Sequence, residues 1–463
     1  MYPFHITIHS VKRQLKTRYM QTNNRGGSKK IDSYRFYGQF HGHPLPDLHL
    51  LHEELRIHSV GDGGLIWTAG DSSLDNKYWF TDSREAVPGA YANLLRPSRS
   101  KCDVTYWLNY LIHRSRHRES GYKNGCEVNG AINTAIEATT LNEWHGSFSL
   151  LAQDRFLRDN LQSNDVLIVS VGGNDIALSP TPCTIASMVG LICCTPQSFI
   201  KNGFSCWSCP LDDCCCGCGT STLSCLGACP PCLGYLRHLF KTRVEKYIQA
   251  LTAKTKPKKV LVCMIYYLDE NVVPSWAGAA LSALGYNSNP SKLQSIVRKG
   301  YLEATSQINV PGVEKIIPVP LYQVLDGKNS DDYIARVEPS SSGGQKLAEF
   351  LLDVIEQSSA DISRSSAPLS YTMFDRWICK LTYKPNHLPY NRGNIAVLSK
   401  ALDTYIVLDR ICTSSEARAF RHRCASSEKK LHLQNGQTPP STGRAILHTS
   451  RTAPTNWAHT NVP

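Results

Sequence analysis

A short apolar run at residues 65–69 leads directly into Gly70, Asp71 and Ser72, and this junction constrains the fold more than any other stretch of the chain. The run has the length of a buried strand. Glycine permits a sharp turn where the strand ends, and Asp71 or Ser72 can cap a helix in the polar segment that follows. A serine placed there is exposed at the carboxyl edge of a sheet, beside free backbone N–H groups that can bind an oxyanion. The same pattern is also typical of an ordinary strand–turn–helix junction with a serine cap.

A second apolar run, at residues 165–171, has the same design and ends in Gly172, Gly173, Asn174 and Asp175. An asparagine at the end of a strand can add a side-chain amide to the donors around a serine nucleophile. The two stretches together therefore favour acyl transfer over a simple capped junction.

In these two motifs the chain resembles the SGNH (GDSL-type) hydrolases, a family of esterases and lipases. Residues 70–72 stand where that family carries its nucleophile, and residues 172–175 match its G-x-N-D motif. The resemblance spans about residues 55–358. It implies a flavodoxin-like three-layer α/β/α sandwich with a mostly parallel sheet, a carboxylic ester as the small-molecule substrate, and no required cofactor.

The resemblance also implies a backbone N–H donor for the oxyanion, which the family takes from a glycine. When residues 133–139 are aligned with that motif, Ala138 occupies the glycine position. A backbone donor tolerates the added methyl group if φ stays negative, and on that condition the departure from glycine is mild.

The base that should activate the serine departs from the family pattern. The family carries it as D-x-x-H, followed by a Pro-Ser pair, and here Ala335 and Glu338 stand at the Asp and His positions before Pro339 and Ser340. In one interpretation Glu338 is the base, assisted by Asp332 or Arg336. Burial must then raise the pKa of Glu338 by about two units from an ordinary value of about 4.3.

Two other interpretations remain open. Another residue supplies the base, and His145, His238 and Lys77 are the candidates. Alternatively, the fold is kept without turnover, and the protein is a catalytically silent module that binds an ester, an acyl ligand or a protein partner.

The rest of the core indicates strands that alternate with helices, as in a parallel, doubly wound sheet. Residues 260–267 and 313–322 are predicted strands, and the prolines of the second favour an edge position. Residues 292–308 and 345–355 have helical spacing, and residues 131–161 are predicted to be mainly helical. The loop at residues 269–290 carries Trp276 and Tyr286, which are candidates for the wall of a pocket.

Charge and composition divide the chain into three parts: a basic irregular segment at residues 1–54, the hydrolase-like domain at 55–358, and a largely disordered basic tail at 359–463. The net charge is +12, of which residues 1–50 carry +6 and residues 371–463 carry +8. The middle of the chain is therefore slightly acidic, which argues against nucleic acid as a partner.

Twelve of the 18 cysteines lie in an insert at about residues 183–232. Cys206 and Cys209 form one C-x-x-C pair and Cys229 and Cys232 a second, at a spacing typical of a structural zinc site. Pro230 and Pro231 remove backbone N–H groups that would orient bound thiolates. S-acylation beside Ile192, disulfides, or a cysteine-rich insert that covers the site as a lid are the other interpretations.

Eighteen cysteines without an apparent secretory signal favour a reducing compartment, and the cytoplasm is the expected location. No apolar run has the length of a transmembrane segment. Oligomeric state is left open.

Overall fold

The computed structural model describes residues 30–116, 128–144, 150–209 and 223–360. All of them lie in the first of the chain's two compact units, residues 1–365. Residues 361–463 of the predicted disordered tail, His145, and Cys214, Cys215, Cys216 and Cys218 lie outside the described residues.

A five-stranded sheet forms the centre of this unit. Its strands are β1 (Gly64–Gly70), β2 (Val128–Asn133), β3 (Val166–Ser170), β4 (Lys259–Met264) and β5 (Ile316–Pro320). They lie in the order β5-β4-β3-β1-β2, and every neighbouring pair is parallel. This is the flavodoxin-like order, in which ligands bind where the winding reverses, between the carboxyl ends of β1 and β3.

Helices cover both faces of the sheet and complete three layers. In β1, Leu65, Trp67 and Ala69 face one hydrophobic cluster, which also holds buried residues of helices α1 (Leu45–Ile57), α3 (Ala152–Asn160), α4 (Val244–Leu251) and α5 (Pro290–Glu303). The intervening Ile66 is buried but lies outside that cluster. Helices α2 (Val104–Arg116) and α6 (Ser341–Ala360) pack together as the other layer. The predicted α/β sandwich is confirmed.

Short elements complete the described chain. Four pairs of two-residue strands join Ile31–Asp32 with Leu95–Arg96, Arg84–Glu85 with Arg99–Ser100, Phe204–Ser205 with Ala228–Cys229, and Tyr333–Ile334 with Glu338–Pro339. The short α-helices are Ser33–Gly38, Ala90–Leu94, Gly173–Ala177, Pro182–Val189, Gln197–Asn202, Cys232–Arg237 and Gly278–Ala283. Single 3-10 or π turns lie at Lys77–Trp79, Leu141–Trp144, Gly190–Cys194, Cys225–Gly227, His238–Arg243, Thr305–Gln307, Leu321–Gln323 and Ser330–Asp332.

Three predictions about local structure are wrong. The start of the predicted helix at residues 131–161 is strand β2, whose pairing with β1 outweighs the helical pattern. The segment after Ser72 forms a turn and the 3-10 helix Lys77–Trp79 in place of an α-helix. The segment predicted to be irregular contains Ser33–Gly38 and most of helix α1, because Leu48, Leu51 and Leu55 bury one face of α1 in the core.

Proline positions agree with the edge prediction. Strand β5 lies at the end of the sheet and carries Pro318 and Pro320, which cannot donate to a further strand. Within the described residues, no helix combines the length and the apolar character needed to cross a bilayer.

Candidate active site

Ser72 lies just beyond the carboxyl end of β1, at the switch point of the sheet. Gly70 precedes it with φ +126°, and a Cβ on this glycine would lie 1.8 Å from the carbonyl oxygen of Ser170. Only glycine therefore fits so close to β3. The N–H of Asp71 donates to the same carbonyl at 3.0 Å, which fixes the turn that presents Ser72. Ser72 itself is half-buried.

The hydroxyl of Ser72 donates a hydrogen bond to Oε1 of Glu338 at 3.2 Å. Glu338 belongs to the two-residue strand that pairs antiparallel with Tyr333–Ile334, and its side chain is buried. The connecting residues Ala335 and Arg336 have φ of 49° and 69°, a region that non-glycine residues seldom adopt. The buried guanidinium of Arg336 holds this tight turn by donating to the carbonyl of Asp269 at 3.1 Å.

Burial and, to a smaller extent, the nearby carboxylate of Asp71 raise the pKa of Glu338 to about 8, against the opposing effect of the hydrogen bond from Ser72. The rise in the pKa of Glu338 is therefore larger than the rise of about two that activation of a serine requires. Burial likewise raises the pKa of Asp71 to about 6, against hydrogen bonds from Ser73. Asp71 is thus ionised at the pH where Glu338 titrates.

Asn174 lines the same cavity as Ser72 and Glu338. Its amide nitrogen donates to the carbonyl of Thr139 at 3.0 Å, so the side chain supports the loop that carries Ala138. Asp175 supports that loop as well, by accepting the N–H of Leu141 at 2.8 Å.

Ala138 has φ +59°, so the condition under which the departure from glycine is mild is not met. The backbone keeps the left-handed conformation that suits glycine, and the methyl group adds strain of about 1–2 kcal/mol. In the part of the chain that the structure describes, no group accepts the backbone N–H of Ala138 or of Ser72. Ala138 is half-buried and is not among the residues that line the cavity beside Ser72.

The structure separates the other candidates from Ser72. Asp332 is buried, but its carboxylate pairs with Lys346 at 2.6 Å and accepts from Ser342, and it forms no hydrogen bond to Glu338. His238 is buried and does not line the cavity.

Lys77 is also excluded as the base of a Ser-Lys pair. Its ammonium group is buried between the carboxylates of Asp75, at 2.6 Å, and Glu137. Burial lowers the pKa of Lys77, but the two carboxylates outweigh burial and the net shift is upward. A lysine that stays protonated cannot take a proton from serine.

The four cysteines proposed as zinc ligands differ in their exposure. Cys206 and Cys229 are exposed, Cys209 is buried, and Cys232 is half-buried. Among the described residues, the sole group of three ligands within 4.8 Å of one another is His43, Asp75 and Asp103. Zinc binding by Cys206, Cys209, Cys229 and Cys232 stays a prediction. Alternative ligand sets with Cys214 to Cys218 lie outside the described residues.

An apolar cavity opens beside Ser72. Its walls come from the segments that follow β1, β3 and β4 and from loop 269–290, as predicted for Trp276 and Tyr286. The apolar lining residues are Ile176, Ala177, Met188, Leu236, Phe240, Met264, Ile265, Leu268, Ala277, Ala280, Leu281, Leu284, Leu293, Ile296, Val297 and Val337. Met188 shows that the described part of the cysteine-rich insert contributes to the wall.

Sequence reasoning missed two functional features. Asp71 acts on the pKa of Glu338, and Met188, Leu236 and Phe240 close the cavity from the insert and the segment after it. The acidic residue between Gly70 and Ser72 was a visible signal for the first. Nothing in the local pattern identifies the second, because those side chains also have the spacing of ordinary core residues.

A scan against protein-family models finds no match, and a search of curated proteins finds none. Solved structures similar to this chain include a Bacillus subtilis protein (12% identity, TM-score 0.29, covering 65% of this chain and 58% of that one). Two others are the acetylxylan esterase Axe2 from Geobacillus stearothermophilus (14%, TM-score 0.28, 64% and 95%) and phospholipase A1 from Streptomyces albidoflavus (11%, TM-score 0.30, 64% and 99%). The sheet order, with Ser72 and Asn174 after β1 and β3, shows directly that the chain has the α/β/α fold that its resemblance to SGNH hydrolases implies.

Proposed function

We propose that this protein hydrolyses a carboxylic ester through an acyl-enzyme on Ser72, with Glu338 as the general base. The observation that carries the proposal is the 3.2 Å hydrogen bond from the Ser72 hydroxyl to a buried carboxylate at the mouth of an apolar cavity. A nucleophile within hydrogen-bond reach of a base is the minimum that covalent catalysis requires.

In the first half of the reaction, ionised Glu338 takes the hydroxyl proton while Ser72 Oγ attacks the ester carbonyl carbon. The resulting oxyanion accepts from the N–H groups of Ser72 and Ala138 and from the Asn174 amide. Protonated Glu338 then returns its proton to the alkoxide, and the alcohol leaves as the C–O bond breaks. Water, deprotonated by Glu338, then attacks the acyl carbon. The bond to Ser72 Oγ breaks as Glu338 gives its proton to Oγ, and the acid is released.

The raised pKa of Glu338 suits this role. A carboxylate with an ordinary pKa is too weak a base for a serine hydroxyl, and catalysis by a base is best when its pKa lies near the working pH. With a pKa of about 8, Glu338 combines greater basicity with a substantial ionised fraction in mildly alkaline solution.

The cavity indicates the kind of ester. Its walls are mainly aliphatic and aromatic, and Tyr266 donates its hydroxyl to the carbonyl of Val337 at 2.8 Å rather than to the open space. An apolar acyl or alkyl group fits such walls, whereas a sugar would leave its hydroxyls unpaired.

The raised pKa of Glu338 also favours a second function, the binding of a ligand without catalysis. Below pH 7 most Glu338 carboxyl groups are protonated, and a protonated group cannot accept the serine proton. In that case the cavity binds an acyl group without breaking a bond.

Labelling of Ser72 by a fluorophosphonate probe separates the two functions. The hydrolase should label at pH 9, and p-nitrophenyl butyrate should be hydrolysed at the same pH. Ser72→Ala should abolish both signals, whereas Ser59→Ala, a half-buried serine bonded to the Leu55 carbonyl, should keep them. A protein that binds the ester at pH 9 without labelling is the silent module.

A further inference from the structure

The helix Pro182–Val189 exposes apolar side chains on its outer side while it buries Met188 together with two polar residues. Thr184 and Ser187 are buried, whereas Ile185 and Val189 on its outer side are 52% and 50% exposed. A surface helix of a globular protein normally buries its apolar residues and exposes its polar ones. The outer face of this helix is therefore suited to a partner less polar than water.

The segments that carry these exposed side chains also line the cavity. Met188, between Ile185 and Val189 in sequence, lines the cavity, and so does Ala177, next to the exposed Leu178. In loop 269–290, Trp276 lines the cavity and is itself 40% exposed. We call the exposed group the apolar rim; its members are Leu178, Ile185, Val189, Val272, Val273 and Trp276.

Both segments that form the apolar rim are free of charge. Residues 176–200 and 271–291 contain no Asp, Glu, Lys, Arg or His. The two segments are also neighbours, since Lys292 donates to the carbonyl of Ile192 and a Cβ on Gly285 would lie 3.6 Å from the side chain of Ile192. An exposed apolar patch of this kind marks an interaction site.

We propose that the apolar rim docks onto the surface of a lipid bilayer. The rim lies on the segments that also supply Ala177, Met188 and Trp276 to the cavity wall, so docking would bring an acyl chain of the lipid close to the apolar cavity beside Ser72. Trp276 has the amphipathic ring that favours the headgroup level. A protein partner would need charged or hydrogen-bonding groups at its edge, and these two segments offer no charge.

The uncharged rim determines which lipids bind. Docking should not need anionic headgroups, and it should persist at high salt, where attraction between surface charges is screened. The docking goes beyond the proposed ester hydrolysis, because binding to a vesicle needs no reaction at Ser72. Failure of one proposal therefore leaves the other standing.

Sedimentation of the full chain with phosphatidylcholine vesicles tests the docking. The wild type should bind equally in about 0.1 M and 1 M NaCl. The Ile185→Asp, Val189→Asp double variant should bind at least tenfold more weakly, and Ser72→Ala should bind like the wild type. The control is Ile57→Asp with Val60→Asp; these residues are 75% and 74% exposed and precede β1, at the opposite edge of the sheet, so binding should be unchanged.

Thermal melting checks that each variant is folded, and Val273→Asp in the neighbouring loop serves if the double variant is not. Three results would overturn the proposal. The first is a wild type that does not bind phosphatidylcholine vesicles, and the second is a wild type that binds anionic vesicles alone and dissociates from them in high salt. The third is a dimer in solution that the rim variants convert to monomers, which would show that a second copy covers this face.

Discussion

The hydroxyl of Ser72 and the carboxylate of Glu338, 266 positions apart in the chain, are joined by a hydrogen bond of 3.2 Å. Parallel strand pairing places Ser72 at the switch point, and a tight antiparallel turn before helix α6 places Glu338 opposite it. A buried acid thus occupies the position that a histidine would take beside a serine nucleophile.

Glu338→Gln should remove the base and keep the shape of the site. We expect hydrolysis at pH 9 to fall by about 10²–10⁴-fold, the usual contribution of a general base. The rate constants for p-nitrophenyl butyrate in the variant and the wild type give this ratio. A variant that keeps more than half of the rate would exclude Glu338 as the base.

The same substitution should stabilise the protein in alkaline solution. The folded-state pKa of Glu338 is raised to about 8, so the folded state binds its proton more tightly than the unfolded chain does, and stability falls as pH rises between about 4.5 and 8. The neutral glutamine side chain of the variant has no such penalty. Urea denaturation should show a gain of at least about 2 kcal/mol at pH 9 and little change at pH 5. Equal gains at both pH values would contradict a titrating carboxyl.

The pH profile of the enzyme should follow the ionisation of Glu338. We expect log kcat/KM to rise with unit slope below pH 8 and to level off above it. Asp71→Asn removes a nearby negative charge, so the pKa of Glu338 should fall and the inflection should move to lower pH. A profile that stays in place in Asp71→Asn would show that the two carboxylates do not interact.

Ala138→Gly should stabilise the protein, because glycine adopts φ +59° without strain. We expect a gain of about 1 kcal/mol in the free energy of unfolding, with activity retained because the backbone N–H remains. The matched control is Ala250→Gly in helix α4, which should cost about 0.5–1 kcal/mol. Loss of stability in Ala138→Gly would place the strain elsewhere.

Lys77→Met should destabilise the protein by about 3–5 kcal/mol, since it leaves the carboxylates of Asp75 and Glu137 buried without their cation. Lys328→Met breaks an ion pair with Glu270 in which the lysine is largely exposed, and it should change stability by less than about 1 kcal/mol. Denaturation of both variants at pH 7 provides the comparison. Similar small effects would contradict a structural role for Lys77.

The sequence was sufficient to predict the strands that are buried on both faces. Residues 65–69 and 165–171 are nearly continuous apolar runs, a pattern typical of central parallel strands. Strand β2 was missed because Asn129, Gly130 and Asn133 interrupt its apolar pattern. Its identity depends on pairing with β1, and pairing partners far apart in sequence leave no local trace.

For the site, local motifs identified the residues at strand ends but not their environments. Ser72, Asn174 and Glu338 were recognised from their positions in motifs, and the structure brings all three to one cavity. The partner of Asp332 could not be inferred, because Lys346 lies one helical turn into α6 and no local pattern links the two residues. Cysteine spacing alone does not decide whether four thiolates meet, so the zinc site stays a prediction.

The anchoring of Arg336 ties two parts of the site into one rigid unit. Its guanidinium binds the carbonyl of Asp269 and the side chain of Asn287, at the two ends of the loop that carries Trp276. Two residues later the chain reaches Glu338. The loop that carries Trp276 and the carboxylate that accepts from Ser72 are therefore held in place through a single buried side chain.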